Sequence, residues 1–126
     1  MKHYMAETEH EVQATLFDWI RLNITKYPDL AVCHAIPNGG HRNKATAARL
    51  KREGVLPGVC DIHLPVPRGI YHGLWIELKV GDNQPTKAQC WFMAEMKKHG
   101  YFACVARGFE DARQIIELYL KLEARK

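Results

Sequence analysis

No apolar stretch in the chain approaches the roughly 18 consecutive residues that a membrane-spanning helix requires. The segment Met1–Glu11 has no hydrophobic region of the kind that drives secretion and carries Glu7, Glu9 and Glu11, so it does not read as a signal peptide. No Cys-x-x-Cys pair occurs. Cys33, Cys60, Cys90 and Cys104 lie far apart, each inside an apolar segment where a thiol packs as a small hydrophobe, which points to a reducing compartment. Cys60 and His63 form a Cys-x-x-His, but on a strand an offset of three sends the two side chains to opposite faces, and no zinc is expected. Repeats, low-complexity tracts and Ser/Gly linkers are missing too, so no domain boundary is legible. These absences leave 126 residues as one soluble, cytoplasmic domain, long enough to bury a core without disulfides or structural metal.

The hydrophobic fraction of 47% and charged fraction of 25% are those of an ordinary globular protein. The net charge of +4 is concentrated. Between Asn38 and Gly54 lie Arg42, Lys44, Arg49, Lys51 and Arg52 against the single acid Glu53, and the rest of the chain is balanced. Such a cluster is either a solvated helix face or the footprint of a polyanion, and composition alone does not separate the two.

Periodicity gives the order α-β-α-β-β-α-β-α, a small mixed four-stranded sheet flanked by helices in an α/β fold. A first helix runs from about Ala6 to Tyr27, carried by Val12, Leu16, Trp19 and Leu22 or Asn23 and widened by Phe17, Ile20 and Ile24. Leu30–Ile36 reads as a short strand stopped by Pro37-Asn38-Gly39-Gly40. Asn43–Glu53 reads as a basic helix with Ala45, Ala47, Ala48 and Leu50 as packing residues and Gly54 as its terminator. Val59–Val66 and Leu74–Val80 alternate as two strands, joined closely enough to pair antiparallel. Thr86-Lys87-Ala88-Gln89 opens a helix with a capping-box pattern, and His99-Gly100 closes it. Tyr101–Ala106 is the last strand; the last helix, Glu110–Glu123, packs through Ala112, Ile115, Ile116, Tyr119 and Leu122.

Polar residues inside these strands are the informative ones. Glu77 and Lys79 project from one face of an otherwise apolar strand, and Asp61 on the neighbouring strand is free to meet them. One explanation is a half-exposed strand carrying a cross-strand charge pair. The other is chemical. Two carboxylates brought together repel unless a cation or proton lies between them. A divalent ion such as magnesium resolves this with hard oxygen ligands from Asp61 and Glu77 and from the backbone carbonyl of Leu78, while the Lys79 ammonium orients water or offsets phosphate charge. Asp-x(15)-Glu-x-Lys is thus a pattern for phosphodiester hydrolysis, although by itself a common one.

Its surroundings are more specific. In order come Glu9-x-x-x-Gln13, Pro37-Asn38-Gly39-Gly40-x-Arg42, Gly54-x-x-x-Gly58-x-x-Asp61-Ile62, Ile76-Glu77-Leu78-Lys79, Thr86-x-x-Gln89 and Gly100-Tyr101. This series resembles the VRR-NUC domain (virus-type replication-repair nuclease) of the PD-(D/E)xK superfamily, over roughly Glu7 to Arg107. The resemblance implies a restriction-endonuclease-like core. It also implies metal-binding carboxylates at Asp61 and Glu77, a catalytic lysine at Lys79, an additional helix-borne acid at Glu9 acting through metal-bound water, and a supporting glutamine at Gln89. Gln13 falls one helical turn from Glu9. Cys60 stands where the superfamily name has its proline. Read without the resemblance, Gln89 is the capping partner of Thr86 and Glu9 a first-turn acid favoured by the helix dipole. Trp75 shares a face with Glu77 and can wall the site; His63 reads as a packing residue. Trp19, Trp91, Phe92, Met93 and Met96 read as core or interface.

The basic segment then falls near the rim of the cleft. Arg42, Lys44, Arg49, Lys51 and Arg52 would take phosphates, joined by the backbone amides of the Asn38-Gly39-Gly40 turn. No base-reading motif is present, so recognition of DNA structure is expected in place of sequence. Short stand-alone members of the family, from phages and bacteria, are dimers that cut four-way (Holliday) junctions; longer relatives carry further domains and act on flaps. The resemblance therefore implies a magnesium- or manganese-dependent homodimeric junction resolvase in the cytoplasm of a bacterial or phage-infected cell, with no membrane partner and no nucleotide cofactor. A flap or nicking nuclease working with a partner protein, and a non-catalytic DNA-binding module, are the alternatives.

Overall fold

A computed structural model describes residues 7–38 and 43–125. Helix α1 (Glu9–Leu22) begins at a Thr8 cap whose hydroxyl accepts from the Glu11 backbone N–H, while the Glu11 carboxylate accepts from the Thr8 N–H. It ends at Asn23, short of the Tyr27 expected from periodicity, and Asn23 caps it by donating its side-chain amide to the Trp19 carbonyl.

Leu30–Ile36 is not a strand. Pro28 opens a 3₁₀ turn over Pro28–Val32, where its fixed φ suits a first helical position, and only His34–Ala35 remain as strand β1. Of the expected apolar run only Leu30 is buried; Ala31 and Val32 face solvent. Helix α2 (Lys44–Arg52) buries nothing fully: Ala45, Ala47 and Ala48 are exposed, and Leu50 is half-buried. Strand β2 is shorter than expected (Ile62–Leu64), β3 spans Leu74–Lys79, α3 Lys87–Lys98, β4 Phe102–Arg107 and α4 Phe109–Leu120.

The sheet order is β1-β2-β3-β4, with β1/β2 and β2/β3 antiparallel and β3/β4 parallel, the latter pair joined by α3. The mixed α/β architecture expected from the sequence is present. Helices α1 and α4 cover one face, packing Val12, Leu16, Ile20, Ala112 and Ile116 on Ile62, Leu64, Leu74, Ile76 and Leu78. Helix α3 sets Phe92 and Met93 against Cys60 and Ala103 in a second cluster, with Trp75 and Val105 at its edge. Cys90, expected in apolar surroundings, is exposed on α3, and Trp91, read as core or interface, is exposed there and so not in the core. No described helix is long and apolar enough to cross a membrane.

One consequence positions the site. Strand β3 is buried on both faces, so Glu77 and Lys79 do not form a solvated stripe. They are the two charged residues buried in the described core, 1% and 7% exposed. Burying an ion costs several kcal/mol, roughly, unless it is partnered.

Candidate active site

Asp61 lies one residue before β2, and the β2/β3 register extended by one step sets it opposite Glu77. Two bonds hold it there. Its carbonyl accepts from the Ile36 N–H at 2.7 Å, and its Oδ2 accepts from the Leu78 N–H at 2.8 Å. Glu77 Oε2 accepts from Gln89 Nε2 at 3.0 Å and lies 3.6 Å from Lys79 Nζ, which is also 4.0 Å from Glu9 Oε1 at the start of α1. Five residues from four elements or their flanks thus meet. A cleft of ≈ 370 Å³ opens onto them, lined by Glu9, His10, Gln13, Asn38, Asp61, Glu77, Leu78 and Gln89, with Ile36 and Pro37.

Burial and, after it, the neighbouring Asp61 carboxylate push the Glu77 carboxyl up to about 8; Lys79 opposes that shift and Glu9 adds to it. The other oxygen, Oε1, is buried with no hydrogen-bond partner. A carboxylate oxygen left unpaired beside a second carboxylate is a poor packing solution and a good cation ligand. Among the described residues no group of three or more His, Cys, Asp or Glu side chains is placed to hold a metal ion. An ion held by Asp61 and Glu77 would therefore complete its shell with backbone oxygen and water, the habit of magnesium-like cations.

The remaining expected residues fall as follows. Asn38 borders the cleft but donates its amide to the Val59 carbonyl at 2.6 Å, tying the loop before Asp61. Lys44, Arg49, Lys51 and Arg52 are exposed on α2, Arg49 facing Glu53 at 3.6 Å across a solvated pair. Gly39, Gly40 and Arg42 lie outside the described residues. Trp75 does not wall the cleft: its ring stacks on His63 with centroids 3.7 Å apart and meets Phe92 edge-on. Cys60 is fully buried against Phe92 and Met93, its thiol held protonated by burial and by the charges of Glu77 and Asp61. The position before Asp61 thus acts in packing.

Sequence reasoning missed His10, which lines the cleft beside Glu9, because a lone exposed histidine carries no pattern. It also missed the Thr8–Glu11 capping box, which was legible as Thr-x-x-Glu.

No family model and no curated protein matches this chain. A solved structure described as a "VRR_NUC domain protein" does, with a TM-score of 0.82 and 34% sequence identity, covering 96% of this chain and 94% of the other. This chain belongs to the VRR-NUC family. It is accordingly a nuclease domain, with the mixed sheet and flanking helices of that fold. VRR-NUC membership also suggests use of a divalent metal, which the unpaired Glu77 oxygen and the adjoining Asp61 fit.

Proposed function

We propose that this VRR-NUC protein is a magnesium- or manganese-dependent, structure-selective DNA endonuclease that acts as a homodimer on four-way junctions. The observation that carries the reading is the Glu77 carboxylate: buried, pushed towards neutrality by Asp61 and burial, and unpaired at one oxygen beneath an open cleft. Few structural roles justify such a group, whereas a cation site does.

Asp61 and Glu77 would hold the ion, with the Leu78 carbonyl as a further oxygen ligand and Glu9 contributing through water. A bound divalent cation supplies Lewis acidity at the phosphate and eases deprotonation of an attacking water. The protein's own residues do the rest. Lys79, fixed between Glu77 and Glu9, sets a positive charge beside the two carboxylates, where it orients the nucleophile and offsets charge building on the phosphate. Gln89 fixes the rotamer of Glu77 by donating to Oε2. Lys44, Arg49, Lys51 and Arg52, with Arg42, Asn38, Gly39 and Gly40, take backbone phosphates and so read DNA shape. A four-way junction has two-fold symmetry and needs two cuts, which a two-fold dimer supplies.

Lys79→Ala tests the catalytic assignment. The expected result is loss of cleavage of branched DNA with binding affinity retained. Cleavage at the wild-type rate would remove Lys79 from the mechanism, and loss of binding together with cutting would make it a DNA contact.

A further inference from the structure

A second groove of ≈ 400 Å³ runs beside the catalytic cleft and shares two of its walls, Asn38 and Gln89. Its lining is mostly apolar: Ala47 and Leu50 from α2, then Val55, Leu56, Pro57 and Val59 from the segment leading to Asp61. Leu56 and Val55 stay 46% and 44% exposed, although nothing in the described chain covers them. The single charged residue in the described lining is Lys51. The floor is built tightly. Gly58 adopts φ +90°, and a Cβ there would lie 2.4 Å from the Ala88 backbone, so the groove wall is pressed against the first turn of α3 that carries Gln89. This groove is therefore rigidly tied to the residues around Glu77.

We infer that this groove is a nucleobase subsite, which receives one unstacked base from the strand whose phosphate lies in the adjoining cleft. The assignment rests on the nuclease reading above and adds a substrate requirement to it. The shared walls Asn38 and Gln89 set the groove directly beside the cleft. Lys51 at its wall and the exposed cations of α2 complement the phosphate of that nucleotide. The apolar floor accepts a base without reading its identity, since the two side-chain amides in the described lining are engaged elsewhere, Asn38 with Val59 and Gln89 with Thr86 and Glu77. A base can leave its stack cheaply where pairing is already interrupted, as at a branch point. The groove thus selects for DNA structure alongside the basic helix, which forms one of its walls.

The test uses four-way junctions with 2-aminopurine placed in turn at each position around the branch point, bound to the full-length protein carrying Asp61→Asn. The groove has no aromatic residue in its described lining, so an unstacked 2-aminopurine entering it is freed from quenching. Expected is a fluorescence rise at one position adjoining the cut that the wild-type enzyme makes. With Leu56→Asn added the rise should be lost and junction affinity fall about five-fold. Leu56→Asn in the wild-type background should leave the melting temperature as it was, since Leu56 is 46% exposed. No rise at any position, on DNA that the wild-type protein does cut, would overturn the subsite and leave the nuclease reading standing. A rise that Leu56→Asn does not diminish would overturn it as well. Absence of cutting by the wild-type protein, with the rise and its Leu56 dependence present, would keep the subsite and overturn the nuclease reading.

Discussion

Gln89 donates its side-chain amide to Glu77 at 3.0 Å while its carbonyl oxygen accepts the Thr86 backbone N–H at 2.9 Å, so one side chain both caps α3 and holds the buried carboxylate. Thr86-x-x-Gln89 is therefore a capping box whose glutamine also reaches the sheet. The start of the helix is pinned to β3 by a residue whose two ends face different partners.

That double role can be separated. In Gln89→Glu the carboxylate keeps the capping bond to Thr86, whereas its other oxygen can no longer donate to Glu77. Melting temperature should stay within a few degrees of wild type while cleavage falls by about ten-fold or more, as expected when a ligand is deprived of its supporting hydrogen bond. Gln89→Ala should lose both, with about 1 kcal/mol of stability lost along with the capping bond. Equal activity of Gln89→Glu and wild type would separate Gln89 from the site.

The Glu77 carboxyl makes stability depend on pH in an unusual direction. Its folded-state pKa, about 8, lies above the ordinary 4.5. The folded protein therefore holds a proton that the unfolded chain releases. This contribution to stability is complete below about pH 4.5 and is lost as pH rises through about 8. In EDTA, melts from pH 5 to pH 9 should show declining stability that Glu77→Gln flattens. Magnesium or manganese should restore most stability at the alkaline end, where the deprotonated pair welcomes a cation. A metal-induced shift that is larger at pH 5 than at pH 8.5 would contradict this.

Asp61→Asn and Asp61→Ala should differ in fold but not in activity. The asparagine oxygen can still accept from the Leu78 N–H, so Asp61→Asn should melt near wild type. Asp61→Ala strands that donor, at a cost of about 1–3 kcal/mol. Both remove a carboxylate ligand, so calorimetric titration with magnesium or manganese should show weakened binding, and cleavage assays should show none.

Much of this was legible in the sequence, and the exceptions have physical causes. β3 was legible because strict alternation over Leu74–Lys79 has few other readings, and the same alternation put Glu77 and Lys79 on one face. That this face is buried was not legible, because the covering residues, Phe92 and Met93 on α3 and Glu9 on α1, come from distant parts of the chain. The Leu30–Ile36 run misled because a short apolar run reads alike as strand or tight helix, and Pro28 decided it. The groove beside α2 had no signature: Val55 and Leu56 look like loop residues until Gly58 closes against Ala88 and they line one side of the groove.

Removing charge from α2 should weaken binding to every form of DNA. Arg49 and Arg52 are exposed, and the Arg49–Glu53 pair is solvated, so Arg49→Ala/Arg52→Ala should leave the melting temperature unchanged. The slope of log affinity against log salt should become shallower by about 0.9 for each phosphate that is no longer neutralised. An unchanged slope would show that these side chains do not face DNA.

The central claim, cleavage of branched DNA by the Asp61–Glu77–Lys79 cluster, is tested most directly on a labelled four-way junction. A linear duplex of the same sequence serves as the comparison, each with magnesium, manganese or EDTA. The account predicts paired cuts near the branch point with either metal, none in EDTA, none on the duplex, and none by Glu77→Gln. Equal cutting of junction and duplex would contradict the substrate assignment, and cutting that survives EDTA or Glu77→Gln would contradict the site itself.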